Sequence, residues 1–161
     1  SVRSFLHGCA IFYYKGLIHM AKKHGPNKEN LEATRRTFLQ IARKDFSTYG
    51  YYEASTAQIV EASGMARGSL YYHFGDKKGL FGAVYEELME EMCAEILASI
   101  KDKTGAWERF IGACMSCLDI MMQSQARRII VDVHTALSYA ERLEILQRTL
   151  LLELSNLIRA V

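Results

Sequence analysis

The scarcity of helix-breaking residues limits this chain to a largely helical fold. Pro26 is the single proline among 161 residues, and two glycines follow Gly82. Proline and glycine are the residues that destabilise an α-helix most, and no segment alternates apolar and polar residues for long enough to indicate a strand. We therefore predict an all-α protein. Half of its residues are hydrophobic, which is enough for a substantial core.

Charge is distributed unevenly along the chain. Residues 20–79 carry ten Lys and Arg against six Asp and Glu, whereas residues 80–161 carry eight against twelve. A basic N-terminal half beside an acidic C-terminal half suggests that the first half alone meets a polyanion such as nucleic acid. The four cysteines do not indicate a disulfide framework in a chain of this length, so we expect a reducing, cytoplasmic setting.

Apolar residues recur at helical spacing throughout the chain after Pro26. The pattern predicts helices over residues 28–49, 56–62, 66–74, 76–101, 104–124, 127–138 and 140–161. Ser55 is expected to cap the second helix and Asp76 the fourth, because their side-chain oxygens can accept hydrogen bonds from free backbone N–H groups. Gly50 is expected to stop the first helix.

Two short helices joined by Ser63-Gly64-Met65 form a helix-turn-helix, with Gly64 supplying the positive φ that the turn needs. Leu70 and Phe74 are four residues apart in the second of these helices and are expected to face inward. Arg67 lies near its N-terminus, where a recognition helix reaches base edges. A guanidinium can pair with guanine through two hydrogen bonds, so this pattern indicates a DNA-reading element.

These residues resemble the DNA-binding signature of the tetracycline-repressor (TetR) family. Its pattern is an I-A-x-x-A-G turn, a G-[ST]-[LI]-Y-x-[HY]-F block and a K-x-x-L start of the next helix. The corresponding segments are Ile59-Val60-Glu61-Ala62-Ser63-Gly64, Gly68-Ser69-Leu70-Tyr71-Tyr72-His73-Phe74 and Lys77-Lys78-Gly79-Leu80. The resemblance covers about residues 30–82 and departs from the pattern at Val60 and Ser63, where alanine is usual. Ala66 also leaves the recognition helix without its usual Ser or Thr cap.

The resemblance implies a ligand-responsive transcription factor, usually a homodimeric repressor that binds double-stranded operator DNA. Ser55 and Thr56 would contact phosphate, as would Lys77 at the N-terminus of the fourth helix. Base reading would depend mainly on residues of the second and third helices. The expected DNA-binding residues are Ser55, Thr56, Gln58, Arg67, Gly68, Ser69, Tyr71, Tyr72, His73 and Lys77.

The remainder is expected to form an effector-binding and dimerisation body for an apolar or aromatic small molecule. Candidate pocket residues are Trp107, Phe110, Cys114, Cys117, Met121, His134 and Tyr139. The alternative is plain core, because stripes of methionine and aromatic residues at helical spacing usually line a core. Cys114 and Cys117 lie inside a predicted helix, which favours core or pocket lining over a redox or zinc site. No metal or cofactor is expected.

Three parts are expected along the chain. They are an N-terminal extension over 1–27, a helix-turn-helix domain over 28–75 and a helical effector and dimerisation domain over 76–161. Residues 1–19 are interpreted as a non-native leader, with an extra helix packed on the body as the alternative. Their apolar stretch is too short and interrupted to cross a membrane. The resemblance implies that the last domain is incomplete, lacking most of the helices that pair in a dimer.

Enzymatic function is not expected. The sequence contains no Gly-rich phosphate loop, no paired catalytic carboxylates and no defensible nucleophile–base pair. The alternative to a DNA-binding regulator is a helical ligand-binding or interaction module that cannot bind DNA because the C-terminal part is missing.

Overall fold

The structure, a computed structural model, describes residues 28–122 and 124–159. Within these ranges the protein is all-α, which confirms the predicted class. Its helices are α1 (Lys28–Glu53), α2 (Thr56–Ser63), α3 (Arg67–Phe74), α4 (Lys77–Ser99), α5 (Ala106–Met122), α6 (Ser124–Ala136), α7 (Tyr139–Thr149) and α8 (Leu151–Arg159). The residues from Thr34 onward group into one compact unit, separate from the unit that contains residues 28–33. The leader expected over residues 1–19 lies outside the described residues.

The predicted helix boundaries agree with the structure at Gly50 and differ from it further along the chain. Gly50 interrupts α1 as predicted, with φ 82° and ψ 170°, and a short helical segment follows it to Glu53. α6 begins at Ser124 rather than at Arg127. The single helix expected over 140–161 is divided into α7 and α8 at Leu150, whose φ of −109° departs from helical values while its side chain is buried. Apolar periodicity continues across Leu150, so the sequence pattern does not reveal this break.

α4 is the central helix of the fold. Eight of its nine buried residues come as neighbouring pairs repeated every four positions, and Ile96 continues the first row: Leu80 and Phe81, Val84 and Tyr85, Leu88 and Met89, Met92 and Cys93. Two adjacent rows at this spacing make a wide apolar face. α4 therefore packs against α5, α6 and α7 in the body and against α3 in the helix-turn-helix.

Aromatic packing connects the N-terminal helices to α4. The fully buried rings of Phe46 on α1 and Phe81 on α4 meet edge to face, with centroids 5.0 Å apart. Tyr51 contacts Phe81 at the same centroid distance. The helix-turn-helix and the start of the body thus share one core. None of the helices described is both long and apolar enough to cross a membrane.

Candidate nucleic-acid interface

The turn between α2 and α3 is held by its own backbone and by one hydroxyl. Gly64 adopts the left-handed conformation, with φ 65°, and its N–H donates to the Glu61 carbonyl at 3.1 Å. The Ser63 hydroxyl donates to the Val60 carbonyl at 2.7 Å and accepts from the Met65 N–H at 3.1 Å. Ser63, a departure from the expected pattern, therefore contributes hydrogen bonds to the turn.

The ends of these short helices are capped differently. Ser55 occupies the N-cap position of α2 in extended conformation, but its side chain makes no capping hydrogen bond, so that part of the prediction is wrong. Ala66 leaves α3 without a side-chain cap, as expected. Asp76 caps α4 as predicted, because its Oδ1 accepts from the Gly79 N–H at 2.7 Å. The Ser55 hydroxyl is consequently not engaged in capping α2.

The inner side of α3 is fixed to α1. Leu70 is fully buried, and the half-buried Phe74 ring meets Phe38 edge to face with centroids 6.2 Å apart. The Arg35 guanidinium lies 5.5 Å from the centre of the Phe74 ring. These contacts set which side of α3 faces outward.

The outer side of α3 presents a cation and aromatic rings. Arg67 is exposed and donates from Nη2 to the Tyr71 hydroxyl at 3.3 Å, with its guanidinium 5.5 Å from the Tyr71 ring centroid. The hydrogen bond from Arg67 lowers the pKa of Tyr71, and a hydrogen bond with Thr56 acts in the same direction. The hydrogen bonds of Tyr71 with Thr56 and with Arg67 thus connect the start of α2 to the exposed side of α3.

The other predicted contact residues surround this cluster with different degrees of exposure. Gln58, Gly68 and Tyr72 are exposed, and Ser69 and His73 are half-buried. The rings of Tyr72 and His73 meet nearly at right angles, with centroids 5.2 Å apart. The exposed side of α3 therefore combines a cation that contacts Tyr71 with two further rings that contact each other.

Lys77 lies at the start of α4 and contacts the end of α1. Its Nζ donates to the Tyr52 carbonyl at 2.9 Å and lies 5.0 Å from the Tyr51 ring centroid. An ammonium group has three donors, so a phosphate contact is still compatible with this position and stays a prediction. The neighbouring Lys78 pairs with Glu141 on α7, with Nζ and Oε1 2.7 Å apart.

Two α6 residues that the sequence analysis missed reach the non-helical step in α1. Arg128 donates from Nη2 to the Tyr49 carbonyl at 3.0 Å, and Asp132 Oδ2 accepts from the Tyr51 N–H at 2.8 Å. A Cβ on the intervening Gly50 would lie 2.7 Å from both side chains. The available signal was the opposite charges of Arg128 and Asp132, four residues apart on one helix.

Three of the seven expected pocket residues line one cavity in the body. Phe110, Cys114 and Cys117 belong to the wall of a cavity of about 450 Å³ between α5 and α8. Met121 lies next to it, with Sδ 4.0 Å from Cys117 Sγ. Trp107 is largely exposed, with its ring 5.8 Å from that of Phe110.

The remaining two expected pocket residues lie elsewhere. His134 on α6 has its Nδ1 2.9 Å from Arg142 Nη1, and since a guanidinium is only a donor, the ring nitrogen accepts. Tyr139, the first residue of α7, is 72% exposed. The structure brings neither side chain to the cavity wall formed by α5 and α8.

Known proteins are similar to this chain both in the helix-turn-helix segment and in the overall fold. The family described as "Bacterial regulatory proteins, tetR family" matches residues 38–84. The HTH-type transcriptional repressor Rv1474c of Mycobacterium tuberculosis is 41% identical over 68 residues, which are 42% of this chain and 36% of its own length. The HTH-type transcriptional repressor AcnR of Corynebacterium glutamicum is 38% identical over 65 residues, 40% of this chain and 34% of its own length. The matched part spans about a third of these curated relatives.

Among solved structures, a TetR-family transcriptional regulator from Pectobacterium atrosepticum is similar over most of this chain. It is 34% identical with a TM-score of 0.64, and the match covers 83% of this chain and 70% of that one. The likeness therefore extends beyond the helix-turn-helix into the helical body.

Proposed function

Because this chain belongs to the TetR family of bacterial regulatory proteins, we propose that it is a transcriptional repressor that leaves its operator when a small apolar effector binds. The observation that carries the proposal is the two-sided character of α3. Leu70 is fully buried, while Arg67 and Tyr72 are exposed. A helix fixed on one side and polar and aromatic on the other suits insertion into the major groove.

Arg67 is the residue proposed to read a base. Its guanidinium uses one donor on the Tyr71 hydroxyl and has further donors available for guanine O6 and N7. The contact with Tyr71 limits the conformations of a long side chain before DNA arrives, which lowers the entropy lost on binding. The supporting contacts would come from Ser55, Thr56, Gln58, Gly68, Ser69, Tyr71, Tyr72, His73 and Lys77, most of them to phosphate.

Two copies of the chain would bind one operator. Recognition helices of a dimer read half-sites about 34–36 Å apart, one turn of DNA. A change in the spacing of the two α3 helices would therefore change affinity without altering any residue that contacts DNA. An effector can act in this way only if it prefers one of the two spacings.

Contacts between the body and the N-terminal helices offer a route from effector to DNA. Asp132 on α6 holds the Tyr51 N–H, and Glu141 on α7 pairs with Lys78 in the first turn of α4. A displacement of α6 would move the end of α1, and a displacement of α7 would move the start of α4. Since Phe74 of α3 packs against Phe38 of α1 and α3 also packs against α4, the recognition helix would follow.

Selection of bound sequences from random duplex DNA tests the proposal. We expect enrichment of a palindromic sequence, with an affinity that falls steeply as salt rises, because several phosphates lose counterions on binding. Arg67→Ala should reduce binding to the selected sequence more than binding to random DNA. Absence of enrichment, together with affinity that does not change with salt, would overturn DNA recognition by this chain.

A further inference from the structure

The cavity between α5 and α8 has an apolar wall interrupted by two thiols. Its volume is about 450 Å³, within the range of small-molecule sites. Hydrocarbon surface comes from both helices. The apolar lining includes Phe110 and Leu118 of α5 and Leu154 and Ile158 of α8, and the thiols are those of Cys114 and Cys117. Among the lining residues that the structure describes, the two thiols are the chemically reactive groups.

The two thiols are neighbours on one face of α5. Cys114 and Cys117 are three residues apart, a spacing that places the Cβ atoms of a helix about 5–6 Å from each other. Cys114 is exposed and Cys117 is half-buried, and neither forms a disulfide. Met121 Sδ lies 4.0 Å from Cys117 Sγ, so a third sulfur continues the row.

The environment of the two thiols favours binding of a soft, sulfur-binding atom over reaction with an oxidant or coordination of a hard metal ion. Burial raises the pKa of the Cys117 thiol, which reduces the thiolate that oxidants and alkylating agents attack. Among the described residues, no group of three or more His, Cys, Asp and Glu side chains is placed to hold a metal ion. An atom that already carries an organic group and binds the sulfurs of both cysteines needs no further ligand from the protein.

We propose that Cys114 and Cys117 together bind a trivalent arsenical that carries an apolar or aromatic group. Arsenic bridges the two sulfurs, and the organic group occupies the cavity against Phe110, Leu118 and Ile158. Soft sulfur ligands favour soft acceptors of this kind. The site would be the effector pocket of the proposed repressor, and this consequence rests on the proposed function, whereas the binding step does not.

The binding step balances without any other reagent. In R–As(OH)₂ two As–O bonds break and two As–S bonds form. Each hydroxyl leaves as water with the proton of one thiol. Arsenic stays trivalent and neither sulfur is oxidised, so no oxidant or reductant takes part.

Phenylarsine oxide is the probe, added to the reduced chain without DNA. We expect one phenylarsenic group per chain by intact-mass measurement and a saturable change in fluorescence of Trp107, the single tryptophan, whose ring lies 5.8 Å from that of Phe110. Ethanedithiol should remove the group, whereas an equal concentration of a monothiol should not. Removal by the monothiol would overturn binding through two sulfurs.

Serine variants identify the thiols. Cys114→Ser should weaken binding about a hundredfold or more, because the second As–S bond of the parent forms within one molecule at a high effective concentration and the variant cannot form it. Cys114 is exposed, so this variant is expected to fold. Cys117→Ser should behave alike, while Cys93→Ser on α4 and Cys9→Ser should bind as the parent does. Full affinity in Cys114→Ser, or loss of affinity in Cys93→Ser or Cys9→Ser, would overturn the assignment.

A second pair of measurements tests the cavity. Leu118 is 57% exposed, so Leu118→Gln leaves the core intact. It should weaken binding of phenylarsine oxide and leave the weaker binding of inorganic arsenite unchanged. Equal affinity of the two arsenicals for the parent chain would overturn the placement of the organic group in the cavity.

DNA binding is scored separately. Release of selected DNA by phenylarsine oxide in the parent chain, but not in Cys114→Ser, supports the effector role. Binding of the arsenical by a chain that binds no DNA would contradict the proposed function and support the thiol site. DNA binding by a chain that takes up no arsenical would support the proposed function and contradict the thiol site.

Discussion

Asp132 on α6 accepts a hydrogen bond of 2.8 Å from the Tyr51 backbone N–H, across 81 positions of the sequence. The bond lies immediately after Gly50, the non-helical step in α1. A backbone N–H that has left the helical ladder needs another acceptor when it is part-buried. The body therefore supplies a hydrogen bond that the helix-turn-helix domain lacks at this point.

Removing that carboxylate should destabilise the chain. Asp132→Ala leaves the Tyr51 N–H without its acceptor, which we expect to lower the free energy of unfolding by about 1–3 kcal/mol. Asp132→Asn keeps an oxygen acceptor and should lose less. Urea unfolding of the two variants measures the difference. Equal losses would mean that the charge of Asp132, rather than its hydrogen bond to Tyr51, is what stabilises the fold.

Gly50 should tolerate no side chain. Its φ of 82° and ψ of 170° lie in a region that is essentially restricted to glycine. Gly50→Ala would also place a Cβ 2.7 Å from Arg128 and Asp132. We expect a loss of about 1–3 kcal/mol from the backbone conformation alone, with the steric contact adding to it.

Gly68→Ala is the matched control for the Gly50 substitution. Gly68 lies within α3, and apart from its chain neighbours and the helix's own backbone no atom lies within 4 Å of the position of its Cβ. Alanine in a helix should raise stability by about 0.5–1 kcal/mol. Thermal unfolding compares the two. A Gly50→Ala variant as stable as the parent would contradict the conformational requirement.

The local part of the fold is predictable from the sequence because its causes are local. Gly64 turns the chain at φ 65°, Asp76 caps α4, and Leu70 is buried four residues before Phe74, all as the spacing predicts. Each depends on residues within one or two turns of helix. Polar termini and apolar periodicity record these requirements at the three positions, but not at Ser55, which makes no capping hydrogen bond, or at Leu150, where the helix divides.

Contacts between distant segments could not be predicted in this way. Lys77 is expected to bind a phosphate, yet its ammonium group also donates to the Tyr52 carbonyl. His134 was grouped with the pocket, yet it lies beside Arg142. Arg128 and Asp132 were missed because their partners on α1 are backbone atoms. Backbone acceptors and donors have no signature in the amino-acid sequence.

Glu141 should make stability depend on pH in the acid range. The hydrogen bond with Lys78, followed by those with the Ser138 side chain and backbone, lowers the pKa of this carboxyl from 4.5 to about 2. A carboxyl with a lowered folded-state pKa stabilises the fold above its unfolded pKa. This contribution is lost as pH falls from about 5 to about 2.

Glu141→Gln isolates that contribution because glutamine can still complete the capping box at Ser138. The difference in Tm between parent and variant should be constant above about pH 5 and should shrink toward pH 2. Thermal unfolding followed by circular dichroism measures it. A difference that does not change over this range would show that the ion pair with Lys78 contributes nothing to stability.

Substitutions of Arg67 should distinguish a contact with a base from a contact with a phosphate. Arg67→Lys keeps the positive charge but loses the planar pair of donors that matches guanine. We therefore expect Arg67→Lys and Arg67→Ala to lose similar affinity for the selected DNA sequence, about ten- to hundredfold. On random DNA, Arg67→Lys should bind as the parent does. Fluorescence anisotropy with both duplexes over a range of salt measures these affinities. If Arg67→Lys retained the parent's affinity for the selected sequence, Arg67 would be a phosphate contact, and base reading would pass to Gln58 and the aromatic residues of α3.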